Sequence, residues 1–214
     1  MNPKHHTRMV LVGISLLWFL AAGCVGKSEP VAFYSLSPES SPETGTAPDA
    51  AGGEEMTIGL GPIEIPGYLD RPQIVTRGGG NEIRIAEFRR WAEPLGENFT
   101  QTLSEDLARL LATDNVFVYP WPPQVAVTHR ILMDVNRFEG NPDGSVNLIA
   151  RWMVLAGKED QVRLVRKSRI MEPVKQDPEN PYNALVAAKS RAIAVLAGEI
   201  AGEIRKLQTG AGTD

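Results

Sequence analysis

Few side chains in this sequence are suited to covalent chemistry. It has one cysteine, Cys24, and three histidines, of which His5 and His6 lie beside Lys4 and Arg8 at the amino end. His129 is therefore the imidazole left for a folded body. A nucleophilic site needs a base held against its nucleophile. His129 instead sits in VAVTHRILMDV, an alternating run whose apolar neighbours predict a packed or hydrogen-bonded core histidine. One cysteine and one histidine cannot supply the three or four ligands of a zinc site. Among carboxylates, Glu82 and Glu87 flank a hairpin strand and Glu105 and Asp106 share a helix, where solvated surface is the expected role. A phosphate cradle requires glycines leading into a helix N-terminus. GLGPIEIPG runs into prolines and RGGGNEIRI into a strand. The expectation is no catalytic residue, no metal and no cofactor.

The elements that would position any site follow from periodicity. VAFYSLSP offers a short strand with aromatic residues suited to a pleated surface. SPESSPETGTAPDAAGGEE (37–55) has no apolar period and reads as a disordered insert. MTIGLGPIEIP is a strand whose glycines and prolines predict a bulge or an edge. PQIVTR and EIRIAEF around GGGN form a hairpin. From Pro94 to Asp114 the period turns helical, with Leu95, Phe99, Leu103, Leu107, Leu110 and Leu111 on one face. VFVYP reads as a short buried strand. Three alternating runs then follow, joined by NPDG and KEDQ, and predict an antiparallel meander. In the first of them Val127, His129, Ile131, Met133 and Val135 share a face. A final helix, Tyr182 to Leu207, carries the stripe Tyr182, Leu185, Ile193, Leu196, Ile200, Ile204 and Leu207. This order predicts one α+β domain, a mixed and mostly antiparallel sheet with two main helices packed on one face.

Cys24 ends a segment of its own. Lys4 and Arg8 precede an apolar run, Met9 to Ala22, and the small residues Ala21, Ala22 and Gly23 lead directly to the cysteine. That layout is a secretory signal, shorter than the ~20 residues that span a bilayer. The sequence around AAGC resembles a bacterial lipobox, with Ala21 where leucine is common. The resemblance implies cleavage between Gly23 and Cys24 and acylation of Cys24, with each buried CH₂ contributing about 0.8 kcal/mol of anchorage. Val25 follows the cysteine where aspartate would retain an enteric lipoprotein at the inner membrane, so the implied destination is the outer membrane. Removing residues 1–23 takes away two of the 22 basic residues and none of the 26 acidic ones, so the net charge moves from −4 to about −6. An acidic chain is a poor nucleic-acid binder, since that affinity comes from neutralising phosphates. The expected organisation is a signal peptide (1–23), a lipidated N-terminus and tether (24–32), one domain (33–208) and a disordered tail (209–214).

FYSLSP, GYLDRPQIVTR and RIAEFRRWAEPL, followed by NVFVYPWP, LMDVNRFEG and ARWMVL, resemble the PqiC-like (paraquat-inducible) ABC-type transport auxiliary lipoproteins, and the likeness covers most of the chain after Cys24. It implies a lipid-anchored α/β domain without catalytic residues. It also implies a partner, an MCE-domain protein that conducts phospholipid between two membranes and is docked at the outer membrane. Residues that could meet a partner each have a structural reading too. Tyr68, Asp70, Arg71 and Pro72 form either a rigid contact loop or a turn shaped by an Asp–Arg clasp. Trp121, in YPWPP, either docks a partner or caps the core. Arg90 and Trp91 could stack on one another, a structural role more than an interface. Arg163, Arg166, Lys167 and Arg169 make one strand basic, either to meet anionic lipid or an acidic partner, or to keep an edge strand from aggregating. The alternatives to a transport subunit are a stand-alone periplasmic lipoprotein binding a small apolar ligand or cell-wall component, and an envelope hydrolase. Homo-oligomerisation is left open.

Overall fold

A computed structural model of the chain describes residues 29–39, 56–156 and 161–210. The chain divides into two compact units, Met1–Pro30 and Val31–Asp214. Of the first, only Glu29 and Pro30 are described, so Cys24, Gly23 and the rest of the leader lie outside the described residues. So do most of the 37–55 insert and nearly all of the KEDQ turn.

In the second unit an eight-stranded mixed sheet carries two helices. The strands are β1 (Ala32–Tyr34), β2 (Ile58–Glu64), β3 (Gln73–Arg77), β4 (Ile83–Trp91), β5 (Val116–Val118), β6 (His129–Gly140), β7 (Ser145–Ala156) and β8 (Gln161–Pro173). The helices are α1 (Leu95–Leu111) and α2 (Pro181–Gly210). Thr209 and Gly210, read in sequence as tail, continue α2. The sheet runs β1-β4-β3-β6-β2-β5, and β7 and β8 extend from β6. The hairpin β3–β4 and the meander β6–β7–β8 are antiparallel as their alternation predicts. The parallel pairings are β1 with β4, β2 with both β5 and β6, and β3 with β6.

The apolar stripes explain how the layers join. In α1, Leu95, Phe99, Leu103, Leu107 and Leu111 are spaced one turn apart and all are buried. In α2, Leu185, Ile193, Leu196, Ile200 and Ile204 are likewise buried, with two turns between the first two of them. They meet Ile131, Met133, Val135, Phe138, Leu148, Trp152 and Ile170 from the meander in one core. Phe99 and Phe138 pack edge to face with ring centroids 5.2 Å apart, the geometry their quadrupoles favour. An Arg205 guanidinium donates to the Leu110 carbonyl, tying the ends of the two helices. Every residue of this core lies within Val31–Asp214.

One strand differs from expectation, and another takes the first of the two forms expected of it, a bulge and not an edge. β5 is half-buried, not buried, because it pairs on one side only and ends the sheet. β2, in contrast, lies inside the sheet and accommodates its glycines and prolines through a register shift between Leu60 and Ile63, where Gly61 has φ +110°. A non-glycine residue is strained at that angle.

β1 is a full member of the sheet. Tyr34 packs beside the Tyr182 ring at 6.2 Å, and the Leu36 N–H donates to Asn98 Oδ1 at 2.6 Å in a buried site. Asn98 also donates to Glu93 at 2.7 Å, and the Ser37 N–H donates to Ser190 Oγ at 3.1 Å. An Asn98→Ala chain leaves the Leu36 amide without its acceptor. The expected loss is about 1–3 kcal/mol, a fall in Tm of roughly 2–12 °C for a domain of this size, read by thermal unfolding.

Candidate docking surface

The loop after β2 holds the first group of candidate residues, and what it does there is local. Leu69 is buried and pins the loop to the core. Asp70 and Arg71 do not clasp each other. Asp70 Oδ1 accepts the Gly96 N–H at 3.3 Å, placing a carboxylate at the N-terminus of α1. That position is favourable because the first-turn N–H groups lack helical partners, and Pro94, at the cap, offers no side-chain acceptor. Arg71 Nε donates to Gln73 Oε1 at 3.2 Å. The Pro72 carbonyl accepts the Trp91 N–H at 2.7 Å.

Tyr68 leads to a cluster that sequence reasoning missed. Its hydroxyl donates to the Glu139 carboxylate, with Oε2 at 3.1 Å. Glu139 is fully buried; its Oε1 also accepts from Arg77 Nε at 2.5 Å and its Oε2 from the Phe138 N–H at 2.8 Å. Burial, then the Glu139 charge, pushes the Tyr68 phenol above its ordinary range, and the hydrogen bond to Glu139 raises Arg77. Tyr68 therefore stays a neutral donor and Arg77 a permanent cation. Behind this cluster Lys189 is buried. Its ammonium donates to the Phe138 carbonyl, lies 4.1 Å from the Phe138 ring centroid and 5.6 Å from that of Trp91, and has its pKa pushed down by burial to about 7. Cation–π contacts of this kind partly replace lost water. A signal for Lys189 was present: it occupies the one turn of the α2 stripe between Leu185 and Ile193 that no apolar residue fills.

Trp121 is a cap. A Cβ on Gly59 would come within 2.7 Å of the indole, so β2 needs glycine there for the ring to lie on its backbone. Tyr119 meets the ring edge-on at 5.7 Å and the Arg130 guanidinium sits over it at 5.4 Å. Arg90 does not stack on Trp91. Neighbouring strand residues point to opposite faces, so Trp91 enters the core while Arg90 reaches the Glu87 carbonyl at 3.5 Å. His129 is a half-buried residue whose Nδ1 lies 3.0 Å from Thr128 Oγ1. Burial first, and the Arg163 charge second, lower its pKa.

The basic strand is β8, and it is an edge, pairing with β7 alone. Its cations separate. Arg166 turns to the helix side, where it lies 3.5 Å from Glu203. Arg163 falls at the register shift opposite Val154 and Leu155. Lys167 and Arg169 share the opposite face with exposed Val165 and Met171. The structure thus leaves the four candidate groups apart: the Tyr68 loop closes on a buried carboxylate, Trp121 lies on β2, Arg90 and Trp91 part to opposite faces of β4, and β8 presents charge to solvent. Among the described residues no group of three or more His, Cys, Asp or Glu is placed to hold a metal ion, and no helix is long and apolar enough to cross a membrane.

A mixed eight-stranded sheet with both helices packed into one core defines a single α+β domain. Residues 34–201 match the model of the ABC-type transport auxiliary lipoprotein component family, and the chain belongs to that family. Over 197 residues, 92% of this chain and 97% of the relative, it is 25% identical to the intermembrane transport lipoprotein PqiC of Escherichia coli K12, and equally to that of Shigella flexneri. The fold recurs in a crystal structure of an uncharacterized protein, with a TM-score of 0.66 at 20% identity, covering 82% of this chain and 99% of the other. It recurs again in a Xanthomonas campestris protein, with a TM-score of 0.64 at 16% identity, covering 85% and 99%.

Proposed function

We propose that this chain is a non-enzymatic, lipid-anchored auxiliary subunit of an intermembrane phospholipid transport system, held at the periplasmic face of the outer membrane through Cys24 and docking an MCE-domain conduit there. The observation that carries the reading is the match of one transport-auxiliary family model to nearly the whole folded unit, residues 34–201. The full-length likeness to a lipoprotein named for intermembrane transport supports the finer role. The mechanism is positional. Acyl chains on Cys24 fix the domain to a leaflet, and because β1, the strand at one end of the sheet, begins at Ala32, the leash from Cys24 is at most ~27 Å at about 3.4 Å per residue. The domain therefore works within one short step of the membrane that holds it.

The experiment is co-purification from detergent extracts after cross-linking. An MCE-domain protein in the eluate is the expected result, and its clean absence sinks the docking role. The anchor is tested separately. Mass spectrometry of the mature amino terminus is expected to find Cys24 acylated, and an unmodified thiol sinks the anchor. The alternative, a stand-alone lipoprotein for a small apolar ligand, would need an enclosed apolar cavity. The recess of about 500 Å³ beside the start of α1 is instead an open cleft that Asp70, Glu93 and Glu97 help to line.

A further inference from the structure

Along β6, β7 and β8 alternate side chains leave the core and face solvent. The cross-strand register arranges them in rows: Leu132, Met153 and Val165; then Asp134, Arg151 and Lys167; then Arg137, Ile149 and Arg169; then Glu139, covered by Tyr68 and Arg77, with Asn147 and Met171. Arg137, Arg151, Lys167 and Arg169 are all exposed, and none has an ion pair or hydrogen bond among the described residues. They occupy two adjacent rows about 7 Å apart on strands about 5 Å apart, so all four lie within about 12 Å of one another. Of the acids on this face, Glu64 and Asp134 sit together at its β2 side, with Asp134 opposite Arg151, and Glu139 is enclosed by Arg77 and Tyr68. A chain with a net charge of −4 thus gathers four free cations in one place. Exposed apolar side chains border them, with Val162 57%, Val165 43% and Met171 65% accessible.

We infer that this sheet face is a peripheral membrane-binding surface for anionic phospholipid headgroups. Charge complementarity selects an anionic partner, and the form of the face selects a bilayer. Protein hot spots are built from aromatic and arginine anchors seated in pockets, whereas the rows holding these four cations have aliphatic tips between charges; the aromatic pair Tyr119 and Trp121 lies beyond them, over Gly59 and against Arg130 at the β2–β5 side of the sheet. The one recess described on it is a dimple of about 110 Å³ lined in part by Pro62, Leu132 and Arg151. Headgroups diffuse laterally and fit any spacing of charges. Long basic side chains reach them while their stems rest on apolar surface. The inference rests on the anchored reading only for the domain's closeness to a leaflet.

The test uses the chain from residue 24 with Cys24→Ser, which keeps every core residue and has no acyl group or leader, and co-sedimentation with phosphatidylcholine vesicles, with and without phosphatidylglycerol. Binding is expected to need phosphatidylglycerol and to fall with salt. At about a fivefold gain per cation near an anionic surface, the K167Q/R169Q chain is expected to bind roughly thirtyfold more weakly. Lys175→Gln, an exposed change off this face, is the matched control. Equal binding to both vesicles, or no loss in K167Q/R169Q, overturns the inference and leaves the transport reading standing, because no conduit enters the assay. A photo-cross-linker at position 165 in cells gives lipid adducts if the face meets the leaflet. Protein adducts in their place assign it to an acidic partner and overturn the membrane assignment.

Discussion

A Glu139→Ala chain is expected to lose about 3–5 kcal/mol of stability, the usual cost of removing one partner from a buried charged cluster. Its Tm should fall by roughly 6–20 °C, read by thermal and denaturant unfolding. Glu139 is the acceptor on which Tyr68, Arg77 and the Phe138 amide converge. Deleting it strands three donors and removes the anion that opposes the Lys189 charge. Arg77→Ala is expected to cost less, because that guanidinium is 22% accessible and can be replaced by water at the rim, whereas the carboxylate is fully enclosed. A loss below about 1 kcal/mol for Glu139→Ala would mean that the cluster is hydrated and contributes no more than a surface pair.

Lys189 gives the second large effect, as a pH dependence. Burial lowers its folded pKa to about 7, against 10.5 for a free side chain. Between these values the unfolded chain holds a proton that the folded chain has released, so stability rises with pH across that window. Below the folded pKa both states are protonated and the burial penalty is felt in full; above the unfolded pKa it is relieved. The gain between pH 7 and 10 is expected to be several kcal/mol at most, since a tenfold difference in proton affinity between the two states is worth about 1.4 kcal/mol. Lys189→Met should flatten the curve over that range relative to the wild-type chain and be the more stable of the two at pH 6. The measurement is urea unfolding of both chains at a series of pH values. Parallel curves would show that the ammonium is stabilised in place by its aromatic neighbours and the Phe138 carbonyl.

These two residues also mark where reading the sequence stopped. The helices and the meander were legible because their signals are local: a leucine every turn in α1, strict alternation in β6 and β7, and Gly-rich or NPDG turns between them. The parallel pairings were legible only as a mixed sheet, since nothing near Ile58 names its partners Val116 and His129, dozens of residues away. The expectation that VFVYP is buried failed because three apolar letters do not reveal whether a strand has one neighbour or two. The Asp70–Arg71 clasp failed for a related reason. Adjacent opposite charges invite pairing, but the α1 N-terminus offers Asp70 an N–H that sequence distance hides. Glu139 and Lys189 could be suspected only as polar residues in apolar settings; that they lie close in the fold is a product of topology. The basic character of β8 was plain from its letters. Its division into a helix-facing Arg166 and an outward Lys167 and Arg169 required the register.

The pairing of β1 alongside β4 has a mechanical consequence. Any tension drawn through the amino-terminal leash arrives at Ala32 and is transmitted along a strand laid lengthwise on its neighbour. Such a load shears the ladder from Ala32 to Tyr34 together with the Asn98 and Ser190 ties that follow it, so these fastenings bear it in concert instead of opening one by one like a zip. Under the anchorage proposed at Cys24, a seam of this kind would let the domain be tugged by a moving bilayer while the Glu139 cluster and the β8 face keep their shape.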